Sequence, residues 1–432
     1  MKICHITPGA GEGFYCENCL RDDGIVKSLR ATGHDAMMVP MYLPPLAEGP
    51  PPQKVAPVFF GGINVYLQQK SALFRRTPRW IDRMFDAKGL LRWAARMAGM
   101  TKAATLGETT LSMLRGEDGR QAKELRRLTA YLAASDRPDV VVLSNALLAG
   151  LAREIRRALG VPVVCMLHDE EGFLDALPER LADQAWQTLG RRCRDIDAFV
   201  SVSRFYADLM TRRLGLEADR VHVVHVGLET DDYSPAAAPP RPQAIGFLSP
   251  MTQSKGPDVL ADAFVRLKGD PRFVDLRLRF SGGRTAADKP LLKAIRRRLT
   301  EAGVADDAEV VEDFRRPSRI AFLQSLSAVS VPTVRGEAFG LFVLEALACG
   351  VPLVLPAHGA FLELADATGG IVLCEPNSAE DLTDKLANLL TDGENARELA
   401  RRGRQAVLEN FNVEQAAQKL VAVYEQTIGA PA

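Results

Sequence analysis

Short apolar runs rich in Val, Ile and Leu alternate with helix-period segments along the chain. This alternation restricts the possible folds more than any other feature. It begins with KICHI at 2–6, then a glycine-containing loop, then a helical pattern over 19–32. Leu20, Ile25, Val26 and Leu29 fall on one face of that helix, Gly33 ends it, and HDAMMVPMY restarts as a strand. Strand, glycine loop, helix, strand is how a doubly wound α/β domain opens. Further strands are expected at 139–143, 161–167, 198–202 and 221–226.

Residues 231–243, DDYSPAAAPPRPQ, break the pattern and predict an interdomain linker. A second series follows, with strands in AIGFLS, LRLRFSGG, EVVEDF, AVSVPTV, VPLVLPA and GIVLCEP. Helices are expected over 257–268, over 289–302 and from about Gly340. The two series predict two α/β domains, each with a mostly parallel sheet. The domains run over 1–232, with a helical insert at about 58–130, and over 243–411. A last helix begins near 412 and leads to the end at 432, with Val413, Ala416, Ala417, Leu420, Val423 and Tyr424 at helical spacing.

A chain of 432 residues accommodates two or three domains. Lys and Arg (54) balance Asp and Glu (54), so overall charge offers no argument for nucleic-acid binding. Seven scattered cysteines suit a reducing compartment better than a disulfide framework. MKICHITPG lacks the apolar core of an export signal, and no apolar run approaches the roughly 20 residues of a membrane span. A cytoplasmic location is expected. Residues 75–102 carry eight basic side chains against Asp82 and Asp86, interleaved with Trp80, Phe85, Leu91, Trp93 and Met97. Such a segment either packs its aromatic side on the domain with arginines in water, or rests peripherally on an anionic membrane.

The strongest chemical signal is RGEAFGLFVLEALACGVPLVLP at 335–356. A strand ends in a loop holding Gly336, Glu337 and Phe339, and a helix starts near Gly340. Ligands of open α/β sheets sit beyond the carboxyl ends of strands, where helix N-termini offer N–H groups to phosphates. Glu337 and Glu345, astride that helix start, suit a ligand with sugars at both ends and phosphates between. Taken alone, a Glu-x7-Glu spacing is more readily a solvated loop acid and a surface helix acid, since such pairs are common by chance. Its surroundings, however, resemble the Glu-x7-Glu signature of retaining GT-B glycosyltransferases of family four. The resemblance continues through GVPLVLPAHGAFLEL and GGIVLCEPNSAEDLTDKLANLL to VAVYEQ.

The resemblance implies two Rossmann-like domains facing a cleft, a nucleotide-sugar donor held mainly by the second, an acceptor by the first, and a final helix crossing back. It implies that Glu337 contacts the donor hexose and Glu345 the ribose, with Ala338, Phe339, Gly340 and Leu341 near the sugar and diphosphate. Lys255, in QSKGPD ahead of a helix, would neutralise the leaving diphosphate. Many family members carry an Arg a few residues before this Lys. Here that position is Pro250, with Arg284 or Arg335 as substitutes. His168, at the end of VPVVCML, matches the family's cleft histidine. Asp169, Glu170 and Glu171 beside it make an acidic loop on the acceptor side. No obligatory metal or other cofactor is implied. A front-face transfer through an oxocarbenium-like state follows, with the sugar passing to a glycan, a lipid-linked sugar or a small metabolite. A nucleotide-sugar epimerase and a catalytically weak nucleotide-sugar-binding protein are the alternatives.

One motif stands apart. GEGFYCENCLRD at 11–22 places Cys16 and Cys19 in a Cys-x-x-Cys behind Gly11 and Gly13. Half a tetrahedral zinc site and a thioredoxin-like redox pair are both open to such spacing. The family context makes it a glycine-rich loop facing donor and acceptor, with Gly11 and Gly13 on the donor.

Overall fold

The computed structural model describes residues 1–8, 17–42, 59–60, 68–69, 103–134 and 137–430. Gly11, Gly13, Cys16 and the basic segment 75–102 lie outside the described residues.

The chain forms two compact units. One joins the first strand and Asn18–His225 to the C-terminal Ala416–Ala432; the other holds Val226–Gln415. In the first, strands β1 (Lys2–Thr7), β2 (Asp35–Pro40), β3 (Val140–Leu143), β4 (Val163–Leu167), β5 (Ala198–Ser201) and β6 (Val221–Val223) form one sheet in the order β2-β1-β3-β4-β5-β6. Every pairing is parallel. The reason lies in the side chains. Val140–Leu143, Val163–Leu167 and Ala198–Ser201 are buried at every position. Strands apolar on both faces need helices on both faces, and parallel crossovers supply them. The core gathers Ile3, Val140, Val142, Val164 and Val200 with Ile25, Val26 and Leu29 of the helix Glu17–Ala31. Ala416, Ala417, Leu420, Val423 and Tyr424, from the last helix Val413–Gly429, enter the same core.

The second unit repeats the architecture. Strands β7 (Ala244–Leu248), β8 (Arg277–Ser281), β9 (Ala308–Val310), β10 (Ala328–Val329), β11 (Leu353–Pro356) and β12 (Ile371–Cys374) pair in parallel in the order β12-β11-β10-β7-β8-β9. The architecture is therefore two Rossmann-like α/β units. The expected helix over 257–268 forms as Pro257–Lys268, with Pro at its first position, where the missing N–H is harmless.

Two segments differ from expectation. AVSVPTV contributes only Ala328–Val329 to the sheet. Pro332 has no N–H to extend the ladder, and Thr333 N turns back onto the Val331 carbonyl at 2.8 Å. The chain therefore leaves the sheet early and becomes the loop that carries Glu337. The segment 231–243, expected as a linker, lies in the second unit, where Tyr233 is 3% exposed.

In the first sheet β1 is flanked by β2 on one side and β3 on the other, and in the second β7 is flanked by β8 and β10, so the strand order reverses there while all strands stay parallel. The reversal lies between β1 and β3 in the first unit and between β7 and β10 in the second. The carboxyl ends of the strands flanking such a point are where open α/β sheets place ligands.

The last helix is a structural part of the first unit. Leu420→Ala, at a fully buried position, is expected to cost about 2–5 kcal/mol. Lys419→Ala, at an exposed neighbour, should change stability by less than about 0.5 kcal/mol. Chemical denaturation of the two variants checks this, and equal midpoints would contradict it.

Candidate active site

At the reversal point of the second sheet, the loops after β7 and β10 meet through an ion pair. Lys255 Nζ donates to Glu337 Oε1 at 2.8 Å and to Oε2 at 2.7 Å. Both groups are largely withdrawn from solvent, with side chains 15% and 3% exposed. Local backbone chemistry puts them there. Gly256, immediately after Lys255, has φ +70, and a Cβ at that position would sit 2.0 Å from the Pro332 carbonyl oxygen. Only glycine lets the β7 loop lie against the β10 loop in this way. Val334 N then donates to the Ser254 carbonyl at 2.9 Å, clamping the two loops together.

Ala338 and Phe339 are fully buried, and Gly340 caps the helix Leu341–Ala348 in a left-handed conformation with φ 88. A helix start holds N–H groups without intrahelical acceptors and carries partial positive charge. The Lys255 ammonium, the Glu337 carboxylate and this helix start therefore belong to one loop cluster.

Glu345, one helical stretch on, is fully buried and is held within the second unit. Arg319 Nε donates to its Oε1 at 2.7 Å, and the Tyr233 hydroxyl donates to the same oxygen at 2.6 Å. Burial, with Glu345 alongside, pushes the Tyr233 phenol well up, so it remains a proton donor. Arg284 follows β8 in a loop that accepts from the Pro250 loop, with Met251 N donating to the Gly283 carbonyl at 3.1 Å. Its guanidinium is half exposed and pairs with Glu312.

In the first unit, His168 directly follows β4 and is 4% exposed. Its backbone N–H donates to Glu170 Oε2 at 2.9 Å. Glu170 also accepts from Ala146 N at 2.8 Å and from the Tyr206 hydroxyl at 2.6 Å, so it fastens the loop to its surroundings. Asp169 takes a left-handed conformation with φ 64 just ahead of the short helix Glu170–Leu174.

Glu171 Oε2 also lies 2.5 Å from the Tyr206 hydroxyl. One phenol proton cannot serve two carboxylates. Burial, together with Asp169 and Glu170, lifts the Glu171 carboxyl to about 7, so it carries its own proton at mildly acidic pH and donates to the phenol oxygen.

The His168 ring meets a charged cluster. Arg21 Nη1 lies 2.9 Å from His168 Nδ1, and Arg21 also binds Asp22 and the Ser144 carbonyl. Sequence reading missed Arg21, Asp22, Tyr206, Tyr233 and Arg319. Each stands in a helix or linker as an ordinary polar residue, and only the fold shows that it is buried. Among the described residues no group of three or more His, Cys, Asp or Glu is arranged to hold a metal ion. No helix among them is long and apolar enough to cross a membrane.

Comparison with known proteins bears on this architecture. The model for glycosyl transferases group 1 matches residues 231–406, and that for glycosyltransferase family 4 matches 108–232. The D-inositol 3-phosphate glycosyltransferase of Xylanimonas cellulosilytica is 30% identical over 249 residues, covering 53% of this chain and 57% of that protein. An MMP α-(1→4)-mannosyltransferase of Mycolicibacterium hassiacum is 28% identical, covering 55% and 56%. The chain thus spans little more than half the length of these two relatives. It spans 91% of a D-inositol 3-phosphate glycosyltransferase 1 of Catenulispora acidiphila, at 24% identity over 85% of this chain.

Among solved structures, the sucrose-phosphate synthase of Thermosynechococcus elongatus superposes with a TM-score of 0.73 at 17% identity, covering 100% of both chains. Anabaena HepE, crystallised with UDP, gives 0.69 at 14%, covering 99% of this chain and 100% of that one. The fold is therefore GT-B. The two family models together match residues 108–406, so by sequence the chain belongs to the family-four group of glycosyltransferases.

Two measurements test the site's electrostatics. Arg319→Met strands the buried Glu345 carboxylate and should cost about 3–5 kcal/mol. Arg284→Ala loses only an exposed pair and should cost less than about 1 kcal/mol. A change under 1 kcal/mol for Arg319→Met in denaturant titration would contradict the buried pairing.

Between the ordinary 4.5 and about 7 the folded state holds a proton on Glu171 that the unfolded state has released. Its contribution to stability is therefore greatest below 4.5, falls as pH rises to about 7, and is flat above. Glu171→Gln should gain roughly 1–3 kcal/mol relative to wild type between mildly acidic and mildly alkaline pH. A pH-independent difference between the two proteins would contradict the shared phenol.

Proposed function

We propose that the protein is a retaining glycosyltransferase that moves a hexosyl unit from a UDP-sugar to a hydroxyl on a glycan, a lipid-linked sugar or a small metabolite. The observation that carries this reading is the Lys255–Glu337 pair at the reversal point of the second sheet, beside the helix start at Gly340. A cation and N–H groups suit a diphosphate, and a carboxylate in the same loop cluster suits sugar hydroxyls. HepE, of the same fold, has been crystallised with UDP-glucose, which supports the choice of base.

In this reading the diphosphate takes the Lys255 ammonium from Glu337 as the donor binds. Glu337 then accepts from the hexose hydroxyls. Ala338, Phe339, Gly340 and Leu341 offer backbone groups to the sugar and phosphates, the Leu341 N–H exchanging its 3.0 Å bond to Glu17 Oε2 for the ligand, and Glu345, steadied by Arg319 and Tyr233, stands near the ribose. Gly11, Gly13 and Arg284 add donor contacts. The first unit supplies His168 to the transferred sugar, with Asp169, Glu170 and Glu171 on the acceptor side.

Chemically, the bond from the anomeric carbon to the leaving phosphate oxygen breaks through an oxocarbenium-like state. The acceptor oxygen bonds to that carbon on the same face, and its proton passes to the leaving phosphate. The chain's work is positioning and charge stabilisation, so no metal or other cofactor is required. The protein acts in the cytoplasm, and the basic aromatic segment 75–102 suits either packing on the domain or peripheral contact with an anionic membrane surface.

A panel of UDP-, GDP- and ADP-sugars, followed for binding and slow hydrolysis, tests the donor. UDP-sugars should bind and be cleaved with retention in the first-formed sugar, and inversion would contradict the mechanism. Glu337→Ala should lower turnover by about 100-fold or more while nucleotide binding survives. Normal turnover in that variant would overturn the assignment.

A further inference from the structure

We infer that Arg21 is the positioning residue that fixes His168 as a neutral imidazole protonated on Nε2, so that the ring meets the transferred sugar as a hydrogen-bond donor and not as a base. The use of the ring rests on the function proposed above; its tautomer rests on geometry alone.

Arg21 is 2% exposed, and its Nη1 lies 2.9 Å from His168 Nδ1. A guanidinium carries only N–H donors and does not lose its charge in proteins. The proton between the two nitrogens therefore belongs to Arg21, and His168 Nδ1 accepts with its lone pair. An imidazolium, or the Nδ1–H tautomer, would set N–H against N–H at that distance. The remaining state is neutral, with the proton on Nε2.

The guanidinium cannot turn away. Its Nε and Nη2 donate to Asp22 Oδ1 at 2.9 and 2.7 Å, and Nη2 donates to the Ser144 carbonyl at 2.7 Å. Asp22, fully buried, accepts from the Ser144 hydroxyl, and His5 Nε2 lies 3.2 Å from its Oδ1. Burial alone would raise the Asp22 carboxyl, but Arg21 and His5 outweigh it and hold the group well below the usual carboxylate range. The anion that orients Arg21 is therefore permanent at working pH. The network spans the reversal point of the first sheet, from the helix after β1 to the loops after β3 and β4. At the other end, Glu170 holds the His168 backbone N–H at 2.9 Å. Ring and backbone are thus both fixed before any ligand arrives, which spares reorganisation on binding.

The test is long-range proton–nitrogen NMR on the full chain labelled with 15N-histidine at neutral pH. Six histidines are present, and the His168 signals are those missing from His168→Gln. The expected spectrum shows a protonated Nε2 and a bare Nδ1. A protonated Nδ1, alone or with Nε2, overturns the inference without any variant.

The double substitution Arg21→Met with Asp22→Asn removes the donor without stranding the buried carboxylate. It should release the tautomer and lower the turnover of donor cleavage about tenfold or more, with nucleotide affinity little changed. A folded double variant that keeps the wild-type tautomer and turnover overturns it equally. Should wild type cleave no nucleotide-sugar, the proposed function fails, while the wild-type spectrum still decides the state of His168.

Discussion

The second unit is organised around one ion pair between loops distant in sequence, Lys255 to Glu337. A pair this withdrawn from water is weak evidence for stability, because desolvation offsets most of its attraction. Its value lies in what it holds ready. In the proposed reading the ammonium and the carboxylate partner each other beside a helix start until an anion and a polyol replace the partners. The surrounding features serve this arrangement. Gly256 lets one loop lie on the other, Pro332 takes the chain out of the sheet early, and Gly340 turns it into the helix.

The first unit has a counterpart at its own reversal point. There the charges are Arg21 and Asp22, and they point inward, to Ser144, His5 and His168. This cluster is almost completely buried, so it acts by fixing geometry and not by meeting solvent. Each unit thus gathers charged side chains where its strand order reverses, although the orders differ: two strands lie on one side of the reversal in the first sheet and three in the second. Tyr424 of the last helix is fully buried in the same core, so the C-terminal segment completes the first unit's interior.

The sheets and most helices were legible because parallel strands buried on both faces are continuous apolar runs, and because helices here begin and end at Pro, Ser and Gly. The strand in AVSVPTV was read too long, since an apolar run does not show where Pro332 interrupts the ladder. The segment at 231–243 looked like a linker by composition, but Tyr233 anchors it through Glu345. Of the candidate site, Lys255, Glu337 and Glu345 were visible through their motif. Arg21, Asp22 and Arg319 were not. They lie on helices whose apolar stripe is read from aliphatic residues, and a buried charge on such a helix looks the same in sequence as one in water. The missing signal was pairing, which only the fold provides.

The central claim is that Lys255, released from Glu337, receives the donor diphosphate. Calorimetric titration of UDP into wild type and Lys255→Met tests it most directly. The account predicts measurable binding to wild type and a loss of about tenfold or more in the variant. Equal affinity in the two proteins would contradict it.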